Sequence, residues 1–283
     1  MYTLINPYPY YAVGINEATI EPPLGLGYCA SYLRMNGFDC DIIDANVLRW
    51  TADDVLRSLR RTAHPLIGIS TNIVTHRAGI ELARAIKAGL GDVPIVMGGP
   101  FPTSRREYVL AAAGVDAVAV GEGEVTLSEI AGNIAAGRHP FRGVRGCVYR
   151  DNGAQAWHGD RPLIPDLNTI PFPAHDLFPP LHLYKSRARR SPVGAVVSAR
   201  GCYYQCVYCN KSIFGNVCRH RSVDNIISEV EWLREHKGIR QLDFLDDNII
   251  VTKEHAGELF DRLKPLDLAI NLQNGIRADR CDR

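Results

Sequence analysis

Short apolar runs alternate with stretches of helical periodicity over the first half of the chain. "YTLIN" (2–6) reads as a strand. In the following "PLGLGYCASYLRMNG", Leu26, Cys29, Ala30 and Leu33 recur at helical spacing, with Gly37 as a stop. "FDCDIID" (38–44) reads as a second strand, and "TADDVLRSLRRTA" as a helix capped by Thr51. "PLIGIS" (65–70), "PIVMGG" (94–99) and "VDAVAVG" (115–121) add three strands. Leu82, Ile86 and Leu90 stack on a helix between two of them, and "EVTLSEIAGNIAAG" closes the series with another helix. Strands joined in this way by helices predict an α/β domain over residues 1–140, a Rossmann-like five-stranded parallel sheet covered on both faces.

The pattern then changes. Residues 143–162 read as a hairpin around the turn "DNG". The next stretch carries Pro165, Pro171, Pro173, Pro179 and Pro180, too many for a helix or a central strand. Residues 141–190 are therefore expected to form a connector, with "KSRARR" as a solvated loop and with His175 and Asp176 in structural roles. Alternation resumes at "GAVVSAR" (194–200). A helix capped by Ser222 follows, with Ile226, Val230 and Leu233 on one face. "IRQLDFLDDN", a helix over 253–264 and "DLAINLQNGIR" complete three strands and two helices of a second domain, 191–283.

Composition excludes several classes. The 283 residues are 46% hydrophobic and 22% charged, with net charge +1, which points away from a general nucleic-acid or membrane-surface binder. No apolar run reaches the roughly 18 residues of a membrane span. "MYTLINPYPYY" lacks the basic and apolar regions of a secretion signal, so a cytoplasmic protein is expected.

Ligands of open parallel sheets bind beyond the carboxyl ends of the strands. Those ends are Asn6-Pro7-Tyr8-Pro9, Ser70-Thr71-Asn72, Gly98-Gly99-Pro100 and Gly121-Glu122-Gly123-Glu124. Their glycines permit close backbone approach to a ligand. Four such loops on one edge suggest a groove. The order resembles cobalamin-binding domains, many of which carry Asp-x-His-x-x-Gly, then Ser-x-Leu, then Gly-Gly. Ser70 and the Gly98-Gly99 pair match the last two elements, and the resemblance implies cobalamin contacts from Ser70, Thr71, Gly98, Gly99, Gly121, Glu122 and Gly123. The Asp-x-His element is absent, since "NPYPYYAVG" holds no histidine. Any cobalamin is therefore expected to bind without a histidine beneath the cobalt. His64 and His76 stand nearby without the motif and read as ordinary histidines.

Eight cysteines in a chain of this length, three of them clustered, point to metal rather than to disulfides. Cys29, Cys40, Cys147 and Cys281 stand singly and read as packing residues. Cys202, Cys206 and Cys209 lie three and then two residues apart after a predicted strand. Thiolates suit zinc or iron–sulfur clusters. A closed zinc site needs a fourth ligand, for which Cys218 and His220 are candidates, and that non-enzymatic reading stays open at this point.

Cys-x-x-x-Cys-x-x-Cys, with the aromatic Tyr208 before the last cysteine, resembles the signature of radical SAM enzymes. That resemblance implies a 4Fe-4S cluster on Cys202, Cys206 and Cys209. Its fourth iron is kept for S-adenosylmethionine, which is cleaved to a 5′-deoxyadenosyl radical. It further implies cofactor contacts from Tyr208, from Asp246 and Asp247 in place of the usual Gly-Gly-Glu, and from Asn274 and Arg277. Together with "VMGGPFPT", "IPFPAHDLFP" and "RHRSVDNIISEVEWL", the whole chain resembles radical SAM enzymes that carry an N-terminal cobalamin-binding domain. The resemblance implies a β/α barrel and a small-molecule substrate. An electron donor such as ferredoxin or flavodoxin is implied too, as is methyl transfer from methylcobalamin to an unactivated carbon. Oxidative cyclisation or rearrangement, with or without cobalamin, is the alternative within that branch. Barrels of the family are longer, so the chain is expected to stop inside its barrel and to be poorly active and prone to association by itself.

Overall fold

The structure, a computed structural model, describes residues 1–12, 20–184, 188–250 and 252–276. The chain divides into two compact units. The first comprises residues 1–16, 25–163 and 171–179, and the second 17–24, 164–170 and 180–283.

In the first unit, β1 (Tyr2–Asn6) is followed by α1 (Leu24–Met35), β2 (Cys40–Asp44), α2 (Ala45–Leu48) and α3 (Ala52–Leu59). Next come β3 (Ile67–Ser70), α4 (His76–Leu90), β4 (Ile95–Gly98), α5 (Pro100–Ser104) and α6 (Arg106–Leu110). β5 (Ala117–Ala119), α7 (Gly123–Ala135), β6 (Cys147–Asp151) and β7 (Ala154–Trp157) complete it. The sheet order is β2-β1-β3-β4-β5-β6-β7. The five predicted parallel strands are present in that parallel arrangement. The hairpin expected in the connector instead extends this sheet, with β6 antiparallel to β5 and β7 antiparallel to β6. The physical reason is burial: Cys147, Val148 and Tyr149 are at most 1% exposed, so the strand is sealed into the sheet's packing rather than laid over its surface.

On one face, Ile5, Ile67, Ile95, Met97 and Val118 pack with Val55 and Leu59 of α3, Ile80 and Ile86 of α4, and Val109 of α6. Thr51 caps α3 with a reciprocal pair of hydrogen bonds to Asp54, as its position predicts. His64 bonds Thr3 Oγ1 at 2.9 Å and the Leu59 carbonyl at 2.8 Å, which ties the strand edge to α3. The proline-rich stretch splits between the units. Its 171–179 part packs on α1, where a Cβ on Gly27 would stand 2.6 Å from Phe178, and Asp176 pairs with Arg34 at 2.8 Å. His175 is buried edge-on to Phe178.

The second unit holds β8 (Val193–Val196), β9 (Ala199–Arg200), β10 (Arg219–His220), α8 (Val223–Lys237), β11 (Gln241–Phe244), α9 (Lys253–Leu263) and β12 (Ala269–Leu272). β8, β11 and β12 form a parallel sheet in the order β12-β11-β8. Val196, Leu242 and Phe244 face Ile226, Val230 and Leu259 of the two helices. Ser222 caps α8 through the Asn225 amide, and Gly238, at φ 63°, ends it. The single strand expected over 194–200 is broken in two. After β8 the chain turns at Ser198, and β9 pairs antiparallel with β10, Arg200 opposite Arg219.

Candidate functional sites

At the carboxyl edge of the first sheet, Ser70 pairs with Gly98, the Thr71 amide donates to the Gly98 carbonyl at 2.9 Å, and the Phe101 amide donates to the Thr71 carbonyl. Gly99 sits at φ 98°, and a Cβ there would lie 2.7 Å from the Thr71 carbonyl oxygen. Only glycine lets the two loops meet this closely. Gly121, at φ 80°, donates its amide to Thr103 Oγ1 at 3.1 Å, and Gly123 abuts Cys29. Thus Ser70, Thr71, Gly98, Gly99, Gly121, Glu122 and Gly123 gather on one edge. Asn6 and Asp44, which end β1 and β2, bond each other there at 2.8 Å. Thr71 Oγ1 is buried without a hydrogen-bond partner among the described residues. A buried orphan hydroxyl beside a glycine cradle fits a polar ligand that comes down onto this edge. His76 is spent elsewhere: its Nδ1 lies 2.8 Å from the Ile73 carbonyl, and its ring stacks on Phe101 at 4.0 Å.

In the second unit the cysteine loop runs from Gly201 to Cys218 between β9 and β10. Gly201, at φ 85°, is held so close that a Cβ would lie 2.3 Å from the Val217 carbonyl oxygen. Lys211 Nζ donates to the Cys202 carbonyl at 3.3 Å. Cys202 is half-buried, and Cys206 and Cys209 are exposed. All three are free thiols on a loop without regular structure. Among the described residues no three His, Cys, Asp or Glu side chains are drawn together as a metal-holding group. The donor set itself, three accessible soft ligands within one loop, fits iron–sulfur chemistry. Cys218 fits a fourth ligand poorly. Burial above all, with the negative charges of Cys202, Asp246 and Asp247 nearby, pushes its thiol up to about 11 and disfavours the thiolate. His220 faces the His255 ring at 4.4 Å.

Asp246 and Asp247 end β11 beside this loop. Asp246 is buried, and its Oδ1 accepts from Ser198 N at 2.9 Å, Ser198 Oγ at 2.6 Å and Ala199 N at 2.5 Å. Burial pushes its carboxyl up to about 6, against the pull of those hydrogen bonds. Asp247 is exposed as a residue, yet partial covering of its carboxyl raises it, against the pull of the Gly201 amide that it accepts. Asn274 Nδ2 donates to the Asp246 carbonyl at 2.9 Å. Asp246, Asp247 and Asn274 are therefore brought together. Tyr208 is 89% exposed, and Arg277 lies outside the described residues.

One cluster carried no sequence signal. Asp243 on β11 is fully buried and accepts from Gln241, Asn271 and Gln273, and Gln273 Nε2 also donates to Glu21 at 2.9 Å. Glu21 is far away in sequence, but its segment belongs to the second unit. Burial first, then Asp243, pushes its carboxyl up to about 7. The folded form thus stays protonated where the unfolded chain has ionised. The resulting penalty is nil below the ordinary carboxylate range, grows as pH rises toward 7 and remains above it. Glu21→Gln should raise stability at about pH 8 by on the order of 1 kcal/mol, discounted for partial exposure, and leave it unchanged near pH 4. Equal gains at both pH values in urea unfolding would contradict this account.

Residues 11–131 match the B12 binding domain family. The fold matches the cobalamin-dependent S-adenosylmethionine radical enzyme OxsB, with TM-score 0.78 and 20% identity over 95% of this chain and 38% of that one. It also matches the radical S-adenosylmethionine methyltransferase TsrM from Kitasatospora setae, solved with cobalamin and a 4Fe-4S cluster, with TM-score 0.71, 18% identity and coverage of 93% and 50%. The chain therefore carries a B12 binding domain and has the fold of cobalamin-dependent radical S-adenosylmethionine enzymes.

Among curated proteins it is 34% identical over 270 residues to an uncharacterized methyltransferase of Pyrococcus horikoshii, covering 95% of this chain and 58% of that one. It is 26% identical to the cytidylyl-2-hydroxyethylphosphonate methyltransferase of Streptomyces wedmorensis, covering 92% and 57%. It is 24% identical to the anaerobic magnesium-protoporphyrin IX monomethyl ester cyclase of Rubrivivax gelatinosus, covering 92% and 48%. The chain thus spans a little over half the length of the first two of these relatives. No helix among the described residues is long and apolar enough to cross a membrane.

Proposed function

We propose that this chain is the cofactor-binding part of a cobalamin-dependent radical S-adenosylmethionine enzyme that transfers a methyl group to an unactivated carbon of a small molecule in the cytoplasm. The observation that carries this reading is the pairing, in one chain, of a B12 binding domain with three free thiols on a loop launched beside β11. Cys202, Cys206 and Cys209 hold a 4Fe-4S cluster. Asp247, Asn274, Tyr208 and Arg277 contact S-adenosylmethionine. Ser70, Thr71, Gly98, Gly99, Gly121, Glu122 and Gly123 receive cobalamin, with no histidine under the cobalt. When bound, these groups supply one-electron cleavage of a sulfonium and a transferable methyl group, and a ferredoxin- or flavodoxin-like donor supplies the electron.

Anaerobic reconstitution with iron and sulfide tests the reading. About four irons per chain with broad absorbance near ~400 nm support it, and stoichiometric zinc without iron would refute it. Bound corrinoid should show a base-off spectrum; a histidine-ligated spectrum contradicts the reading of the first loop. Gly99→Ala forces a side chain into a glycine conformation against the Thr71 carbonyl. It should cost about 1–3 kcal/mol and weaken corrinoid binding at least about tenfold in an absorbance titration. Unchanged affinity would remove this edge from the proposed site. The cyclase relative favours a second reading, oxidative cyclisation. Formation of S-adenosylhomocysteine during turnover of the full-length enzyme separates the two, because only methyl transfer produces it.

A further inference from the structure

The acidic pair at the end of β11 divides into two unlike carboxylates. Asp247 is exposed, whereas Asp246 is 4% exposed and lies under the turn from which the cysteine loop departs. One oxygen of Asp246 takes both backbone amides of that turn and the Ser198 hydroxyl. Its other oxygen is buried with no partner among the described residues. The Ser198 carbonyl in turn accepts the Arg221 amide at 2.9 Å, just past β10, so entry and exit of the loop close on the same residue. Three donors converging on one carboxylate oxygen, two of them from consecutive amides, fix the direction of the backbone. With Oδ1 committed to the turn and Oδ2 buried, Asp246 presents no exposed oxygen to a ligand's ammonium group, whereas Asp247 is exposed.

We propose that Asp246 is a positioning residue for the cluster rather than a ligand of S-adenosylmethionine. It pins the Ser198–Ala199 turn and thereby sets where Cys202 begins the ligating loop, leaving the ammonium group to Asp247. This rests on the assignment of Cys202, Cys206 and Cys209 as cluster ligands.

The test uses the whole chain as wild type, Asp246→Asn, Asp246→Ala, Asp247→Asn and Ser198→Ala, each reconstituted anaerobically. Asparagine keeps an acceptor oxygen for the two amides, loses the charge and puts an amide nitrogen in place of the unpartnered oxygen. Asp246→Asn should retain wild-type iron, the wild-type electron paramagnetic resonance spectrum of the reduced cluster and the wild-type response of that spectrum to added S-adenosylmethionine. Asp246→Ala should lose about half of its iron or more and show a broadened spectrum, with Ser198→Ala between. Asp247→Asn should keep its iron and weaken the response to S-adenosylmethionine about tenfold, as expected when a charge-assisted bond becomes neutral.

A tenfold weaker response in Asp246→Asn with iron intact would overturn the proposal, as would wild-type iron and spectrum in Asp246→Ala. If the wild type takes up no iron, the cluster assignment fails by itself. Amide exchange at Ser198 and Ala199 then decides the clamp: faster in Asp246→Ala and unchanged in Asp246→Asn supports it, and no change in either refutes it.

Discussion

Protein carrying Cys206→Ala is expected to emerge from anaerobic reconstitution without a stable cluster. On the proposed assignment, three thiolates already leave one iron of a four-iron cluster without a protein ligand, so a further loss leaves two. Iron should fall from about four per chain to a minor residue, and the charge-transfer absorbance should vanish with it. Cys206 is exposed and makes no packing contribution, so the fold should survive the change. Cys40→Ala is the control: that thiol is buried in β2 and burial pushes it up to about 12, which marks a packing residue. Retention of a full cluster by Cys206→Ala would show that the ligands are other residues.

The second large effect is on stability. Arg221 and Glu229 form a buried ion pair whose side chains are 4% and 0% exposed, at 2.5 Å. Arg221 also donates to the Val197 carbonyl and to Asn225, so one guanidinium joins the end of β8 to α8. Glu229→Ala removes the buried carboxylate of this pair from beside the guanidinium and should cost about 3–5 kcal/mol. Replacing both partners with apolar residues, as in Arg221→Met with Glu229→Leu, should restore most of the loss, because no charge then remains to desolvate. Urea unfolding followed by fluorescence of Trp232, on the same helix, measures both. A loss below about 1 kcal/mol in Glu229→Ala would mean that water reaches the pair.

Periodicity made the first sheet legible because its strands are buried on both faces and read as continuous apolar runs. Caps at Thr51 and Ser222 and the stop at Gly238 were legible for a local reason, since each acts within one turn of its own helix. The hairpin was legible as two strands but not as part of the sheet. Pairing partners lie far away in sequence, and nothing in "DNG" says which edge will receive it. The break of 194–200 at Ser198 was hidden because Val196 and Ala199 are both apolar, and the turn depends on Asp246, 48 residues later. Glycines of the carboxyl edge could be picked out from sequence because each follows a strand. Glu21 could not, since its partners Gln273 and Asp243 belong to strands and loops at the far end of the chain.

The discontinuity of the two units has a practical side. Residues 17–24 and 164–170 are borrowed from the first unit's stretch of chain, and 171–179 is given back to it. A single protease cut therefore cannot separate the two units whole: a cut after residue 179 keeps the first unit intact but takes residues 17–24 and 164–170 from the second. A corrinoid-binding piece ended near residue 140 would lack the hairpin strands and the Phe178 cover over Gly27, while keeping Glu21 without Gln273. Gene shuffling at one crossover would therefore leave at least one of the two units incomplete.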